Sequence, residues 1–468
     1  MKDIMKLHNT GLGGRLGALL RVPFAVAAVA LPLAGCDIES LLDVDDPDIV
    51  NPGQFTDETA LPAIRAGALG DFGVAFSGAS FTEGQVLTSG LLADEWFHSG
   101  TFPTRSQIDI RRIDIDNGTL QGTTRNLYRA RSAAEAAARL FGEFGPNTAG
   151  HAEMLSLAGY SYINFGENYC SGVPFSLLTE DGSFEYGGQE TTENIFGGDD
   201  RALGRFDDAI AAATAAGSAT QLNLASVGKG RALLNLGRYD EAAAAVADVP
   251  TDFAYVILHS DNTGREQNGI FVFNWIVERW SVANSEGENG LPYRDAADAG
   301  DPRLGYRRVP ANDVGFDRRT PQFDNLKYTS RGDPVTLADG IEARLIEAEA
   351  ALDANDVGTF LAKINETRAA LGVADDAVDP GPAGRVDLLF QERAYSLWLT
   401  GHRLGDLRRL IRQYDRPADE VFPIGDYHKG VLGGVYGDDV NLPISVDERN
   451  NPEFSAFPEG DLCLNRDA

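Results

Sequence analysis

The stretch ERAYSLWLTGHRLGDLRR, running from Glu392 to Arg409, gathers Glu392, Arg393, His402, Arg403, Asp406 and Arg408 into one short segment. His402 and Asp406 are four apart, so on a helix they would share a face, as a proton-transferring pair requires. The same residues would serve equally well as ion pairs between helices. No stronger enzymatic pattern accompanies them, because HExxH, GxSxG, GxxxxGK and CxxC are all absent. With 70 acidic residues in the chain, no particular carboxylate pair is informative. The histidines beyond residue 35 are His98, His151, His259, His402 and His428, and none is spaced like a zinc site. The expectation is therefore a protein without a catalytic centre, a metal or a cofactor.

A second chemical mark lies at Leu33-Ala34-Gly35-Cys36. Lys2, Lys6, Arg15 and Arg21 precede an uncharged run from Val22 to Gly35, which is too short and too interrupted by proline to span a bilayer. The run looks like an export signal (1–35) ending in a bacterial lipoprotein box, with Cys36 as the lipidated residue. Several acyl chains on that cysteine would hold the protein on a membrane, each buried methylene adding about 0.8 kcal/mol. Asp43, Asp45, Asp46 and Asp48 follow, interrupted by Pro47, without the glycine and ligand spacing of a calcium loop. They read as a hydrated tether over 36–52. Lipidation of Cys36 leaves Cys170 and Cys463, either as a disulfide in an oxidising compartment or as two separate thiols. The formal net charge of −30 repels phosphate backbones and argues against nucleic acid as a partner.

The elements that must carry these residues are mostly helical. Periodic, alanine-rich segments run over Thr59–Phe76, Thr124–Phe144, His151–Tyr169 and Arg201–Gly217. In QLNLASVGKGRALLNLGRYDEAAAAVADVP, Gly237 closes one helix, Asp240 and Glu241 sit at the positive end of the next, and Pro250 stops it. LLNLGRYDEA resembles the turn of a tetratricopeptide repeat, with Ala242 as the small residue where two helices touch. Ile341–Val373 and Leu388–Tyr414 read as two further pairs, the first with Leu345, Leu352, Leu361, Ile364 and Leu371 at core spacings. Two excursions, 77–122 and 251–336, lack helical period, and FAYVILHS and IFVFNWIV within the second read as short strands. The fold class expected is mainly α, a scaffold of tetratricopeptide-like helix pairs over 53–76, 123–250 and 337–415 with long irregular excursions. An irregular segment, 416–468, closes the chain, and all of 53–468 is read as one domain. Long structured loops on a rigid scaffold are usual places for binding sites.

The order of these features resembles the SusD/RagB family of nutrient-uptake outer membrane lipoproteins, from Cys36 to the end of the chain. LLDVDDPDIVNPGQF is similar to the family's opening at Leu42, Asp43 and Pro47, and GYSYINFGENYCSGVPFS to its second helix and exit loop at Gly166 and Pro174. RLIEAEAAL with INETRAALG matches its late repeat, and Glu392, Arg393, Gly401, His402, Arg403, Asp406, Leu407, Arg408 and Arg409 match its ERR…EGHR..DLRR signature. LPISVDERNNPEF is similar to the closing element at Pro443, Ile444, Glu448, Asn451 and Pro452. Thr400 departs from the family, which often has glutamate there, and so weakens one buried ion pair. The resemblance gives the signature a structural role, tying the last helices together.

It also implies a binding protein, lipid-anchored at the cell surface, that captures glycans or other oligomeric nutrients for a TonB-dependent, SusC-like barrel. Sugar capture calls for aromatic rings against the apolar faces of pyranoses and planar polar groups on their hydroxyls. Trp96, Phe97 and His98 in the first excursion, and Trp275, Trp280, Asn284, Tyr293 and Arg294 in the second, are the candidates. Trp280 stands first, because polar, flexible sequence follows it, although any of these rings could instead pack loops onto helices. An alternative is a lipoprotein whose helical repeats serve as a protein-interaction scaffold.

Overall fold

Helix boundaries follow local chemistry. In the computed structural model, which describes residues 57–179, 183–308, 314–429, 434–455 and 463, side chains close the N-termini of most long helices. Cys36, the signal segment and the acidic tether lie outside the described residues. The helices are α1 (Leu61–Ser77), α2 (Gln85–Leu92), α3 (Pro103–Asp109), α4 (Gly118–Phe144), α5 (Ala149–Asn168), α6 (Thr192–Gly197), α7 (Ala202–Ala216) and α8 (Ala219–Asn235). They continue with α9 (Tyr239–Val246), α10 (Gly269–Phe271), α11 (Tyr293–Asp298), α12 (Gly340–Asp353), α13 (Val357–Ala370), α14 (Arg385–Ser396) and α15 (Arg403–Tyr414). Asn117, Thr148, Ser218, Asp339 and Asp356 accept backbone N–H groups of the first turns of α4, α5, α8, α12 and α13. Each such cap contributes about 1 kcal/mol.

The long helices pack in chain order: α1 on α4, α4 on α5, α5 on α7, α7 on α8, α8 on α9, α9 on α12 and α12 on α13. Small residues set the spacing. A methyl group on Gly159 or Gly228 would lie 2.8 Å or 2.3 Å from the Phe206 ring, so α5 and α8 close on that ring from two sides. At the turn between α8 and α9, Gly237 takes φ +70°, which L side chains rarely adopt, and Ala242 is fully buried beyond it. Gly230 lets Val246 approach so closely that a Cβ would meet it at 2.6 Å. A second core joins α12, α13 and α14 through Leu345, Phe360, Ile364, Leu389 and Phe390, with Leu352, Leu361 and Leu371 packed half-buried against it. The fold is mainly helical, with five two-stranded sheets among the described residues.

The excursions contain more helix than the sequence reading expects, α11 in the second among it. The first contains helices α2 and α3. Every residue of α2 is buried, so no polar face marks its period. In the second, Ala254–Ile257 forms a strand as expected, but IFVFNWIV does not. The Asn268 side chain caps Phe271 N, and the chain runs through α10 into a π-helical turn, Val272–Ile276. An apolar run buried on most sides gives no alternation by which strand and helix can be told apart.

The strand that matters comes later. Trp96–His98 (β1) pairs antiparallel with Trp280–Val282, in the register Trp96↔Val282, Phe97↔Ser281 and His98↔Trp280. The two excursions are thus joined to each other as well as to the helices. The chain returns at its end to α5, where Cys170 N donates to Leu442 O and Cys170 is bridged to Cys463 across a sequence separation of 293.

Candidate functional site

The loops are held from below by buried charge. Arg403, at the start of α15, donates from Nε and Nη2 to the two carboxylate oxygens of Asp94, at 2.6 and 2.8 Å. Asp94 lies two residues before β1, and it also accepts Leu291 N at 2.8 Å and the Tyr293 hydroxyl at 3.3 Å. One carboxylate therefore fixes both excursions to α15. Beside it, Glu95 accepts Leu399 N at 2.8 Å, and burial pushes its pKa up to about 7.

Strand alternation then decides which side chains face the open space above the strand pair. Side chains of neighbouring strand residues point to opposite faces. Phe97 and Ser281 share one face of the pair, and Trp96, His98, Trp280 and Val282 share the other. On the first face opens a cavity of about 660 Å3, lined by Phe97, Asn284, Ser285, Glu286, Gly287, Arg294, Asp317, Arg319, Thr320, Pro321, Phe323, Asp426, His428 and Lys429. Its volume falls within the range of small-molecule sites, about 300–1,000 Å3. The walls come from both excursions and from the segment after α15.

Local structure positions each wall. Asn284 Oδ1 accepts Arg294 N and Asp295 N at 2.8 and 2.9 Å, which starts α11 and fixes the Arg294 backbone. The Arg294 guanidinium lies 3.6 Å over the Phe323 ring. Ser281 Oγ accepts Phe323 N at 2.8 Å and so holds that ring's strand against Trp280–Val282. Asp317 accepts Arg319 N, Thr320 N and the Thr320 hydroxyl at 2.9, 2.8 and 2.5 Å. Burial opposes its charge, yet these bonds keep its pKa below the ordinary value.

The floor is a cluster of coupled groups. Tyr436 donates to Glu286 and Tyr427 to Asp109, each at 2.6 Å. His428 stands between the acids, 3.7 Å from Glu286 and 3.8 Å from Asp109. Burial raises both carboxyls to about 7. Burial likewise lowers the His428 and Lys429 pKa values, and holds His98 well below its ordinary value as a neutral imidazole. Lys429 donates to Gly100 O at 2.9 Å and lies 3.7 Å from Asp317. The arrangement supplies charged and neutral hydrogen-bonding groups around a concave space. Among the described residues no cluster of three or more His, Cys, Asp or Glu is placed to hold a metal.

Of the sequence candidates, Phe97, Asn284 and Arg294 line the cavity. The tryptophans do not. Trp96 and Trp280 are both 0% exposed, on the opposite face of the strand pair, and His98 is buried with them. The sequence reading that placed Trp280 first as a ligand contact is corrected here: its ring packs against Phe273 and His98, at centroid distances of 5.2 and 5.9 Å. Tyr293 is buried beside Trp398, and Trp275 is half-buried outside the cavity, its indole N–H donating to Asn325 O at 2.8 Å. Sequence reasoning missed Glu286, Asp317, Arg319, Phe323 and the whole segment 426–429. Gly-flanked GDYHKG carried a signal, with an aromatic beside two bases, but nothing in the sequence brings it beside Phe97.

The signature residues fill a buried network. Arg393 and Arg409 donate to Asp406 at 2.9 and 3.0 Å; burial opposes its charge, but the two guanidiniums hold its pKa well below the usual carboxylate range. Glu392 pairs with Arg368 and Arg303, and Arg408 donates to Gly166 O and Glu167 O, the last carbonyls of α5. His402 is not the i,i+4 partner of Asp406 that the spacing suggests. It precedes α15, with Nε2 3.2 Å from Glu342 and Nδ1 2.9 Å from the Thr400 hydroxyl, so Thr400 replaces a charge with a hydrogen bond.

No protein-family model matches the sequence, and no curated protein does. Solved structures do match. A SusD superfamily protein from Parabacteroides distasonis is similar at 13% identity and TM-score 0.62, over 86% of this chain and 98% of that one. A SusD/RagB family protein from Bacteroides thetaiotaomicron is similar at 13% identity and TM-score 0.61, over 86% and 97%. A laminarin-binding SusD-like protein is similar at 16% identity and TM-score 0.60, over 86% and 99%. Helix order, excursions and these superpositions agree: the chain has the SusD/RagB fold.

Proposed function

We propose that this protein is a substrate-binding lipoprotein of the outer membrane, anchored through Cys36, that captures an oligosaccharide and passes it to a TonB-dependent, SusC-like barrel. The observation that carries the reading is the cavity at Phe97, Asn284, Arg294 and His428, built by both excursions on a SusD-like scaffold. One relative of the same fold binds laminarin. Beside cavity residue Asp317, Phe316 stacks on Arg279 at 4.2 Å, and Phe102 stacks on the same guanidinium at 4.7 Å. Both rings are more than two-fifths exposed, a surface on which a longer oligomer could lie. The buried signature network supports binding by holding the loops in place, and leaves its acids and bases paired with one another rather than with a substrate.

The test is isolation of the lipidated protein from detergent-solubilised outer membrane. Co-purification of a TonB-dependent barrel is expected, together with incorporation of labelled fatty acid that is lost in Cys36→Ser. Recovery without a barrel would contradict the delivery role, and labelling of the Cys36→Ser chain would contradict the anchor.

A further inference from the structure

The chain holds 70 acidic against 40 basic residues, so a carboxylate is seldom far from any arginine. Several buried arginines of the scaffold follow that expectation: Arg231 pairs with Glu167, Arg303 with Asp301, Arg393 with Asp406, Arg403 with Asp94 and Arg409 with Glu349, while Arg111 and Arg408 donate to backbone carbonyls instead. The cavity does not. Arg294 and Arg319 both line it, and among the described residues neither guanidinium has an ion pair or a hydrogen-bond acceptor. Arg294 Nε is buried with no partner, and burial lowers the group's pKa. Glu286, Asp295 and Asp298 favour its charge only from beyond ion-pair distance, and a partly desolvated guanidinium with no carboxylate in contact is costly to hold. The Phe323 ring beneath it, at 3.6 Å, offsets part of that cost and fixes the plane of the fork.

The acids of the cavity do not balance these charges. Asp317 is occupied by Thr320, the Arg319 backbone and the nearby Lys429. Glu286 is bonded to Tyr436 and is raised to about 7, so that part of its population is neutral at neutral pH. Asp426 lies at the exposed rim. The aromatic rings, for their part, offer little free face: Phe97 is 4% exposed, and Phe323 is 9% exposed and covered by Arg294. The cavity therefore presents planar cations where a neutral-sugar site would present bare rings.

We propose that the cavity is specific for an acidic saccharide, and that Arg294 and Arg319 receive the carboxylate of a uronic-acid residue. This rests on the oligosaccharide-capture reading above and deepens it. Arginine is the side chain suited to bidentate recognition of a carboxylate. A strongly acidic protein needs such a local device, because its overall field repels anions, and the two arginines that no carboxylate contacts supply it at the cavity wall.

The test is calorimetric titration of the full mature protein with oligogalacturonate, oligoalginate and glucuronate-containing oligomers, each beside its carboxyl-reduced, neutral counterpart. At least one acidic oligomer is expected to bind tenfold or more tighter than its reduced form, with the difference shrinking as salt rises. Arg294→Gln and Arg319→Gln should each remove most of that difference. Arg294→Lys, which keeps charge but loses the fork, should restore only part of it. A reduced oligomer binding as tightly as its acidic parent would overturn the proposal and leave oligosaccharide capture standing. Failure of every saccharide, acidic or neutral, would overturn both. The comparison between acidic and reduced ligands uses the wild-type protein, so it holds even where a variant folds poorly.

Discussion

Arg403 and Asp94 are 309 residues apart and meet as a buried two-point ion pair, Nε to Oδ1 at 2.6 Å and Nη2 to Oδ2 at 2.8 Å. The pair joins the last long helix to the residues just before Phe97, and through Leu291 and Tyr293 to the residues just before Arg294. Removing one partner strands the other charge in the interior. Arg403→Met is expected to cost about 3–5 kcal/mol in denaturant unfolding, and Arg403→Lys less, because a charge remains. At temperatures where both variants stay folded, ligand affinity should fall with them, since both walls of the cavity lose their common support.

Trp280→Ala separates the present assignment from the one the sequence favours. A fully buried indole contributes packing, so its removal should cost about 3–5 kcal/mol. Phe102→Ala and Phe316→Ala remove half-exposed rings and should each change stability by less than about 1 kcal/mol. If those two weaken binding of a long oligomer more than that of a short one, the rings act as an outer surface for the chain. Chemical denaturation and titration on the same samples provide both readings.

The disulfide gives a third expectation. Cys170–Cys463 fastens the end of the chain to the exit of α5, closing a very long loop. Cys170→Ser and Cys463→Ser should each lower stability by about 2–5 kcal/mol. The double variant should cost no more than either single one, because all three remove the same bridge. Reducing agent should bring the wild type toward the variants and leave the variants unchanged.

The cavity floor predicts a dependence on pH. The Glu286 carboxyl is raised to about 7 in the folded chain from an ordinary value of 4.5. The folded state therefore binds the proton more tightly than the unfolded one. The stability this adds is fully present below pH 4.5 and is lost as pH rises through 7. His428 and His98 are lowered and act in the opposite sense, adding stability that is lost as pH falls through their folded values. The difference between wild type and Glu286→Gln isolates the carboxyl. It should shift against the wild type by up to roughly 3 kcal/mol between pH 4.5 and 8, then level off. A difference that grows in favour of the wild type with rising pH would contradict the assignment.

Much of the scaffold was legible because its signals are local. Gly237, Pro250 and the acids after Arg238 mark a helix turn without reference to any distant residue, and the repeat from Ile341 to Val373 shows its core spacing in a single window. The helix Gln85–Leu92 was not legible, because a segment buried all round carries no amphipathic period. The Asn268 side chain, rather than the apolar run after it, decides that 270–276 is helical. At the site, Phe97, Asn284 and Arg294 could be found from composition. Which of Trp96, Phe97 and His98 faces the cavity could not, because that depends on pairing with Trp280–Val282, nearly two hundred residues away. His428 and Lys429 needed a third segment folded back onto the other two.

The central claim is that one cavity, at Phe97, Arg294 and His428, captures an oligosaccharide. Its most direct test is titration of wild type and Asp426→Trp, which plugs the mouth from an exposed rim position, with the oligosaccharide panel. The account predicts saturable binding to the wild type and loss of at least tenfold in affinity in the plugged variant, at an unchanged unfolding midpoint. Equal affinity in the two proteins, or no saccharide bound by the wild type, would contradict it.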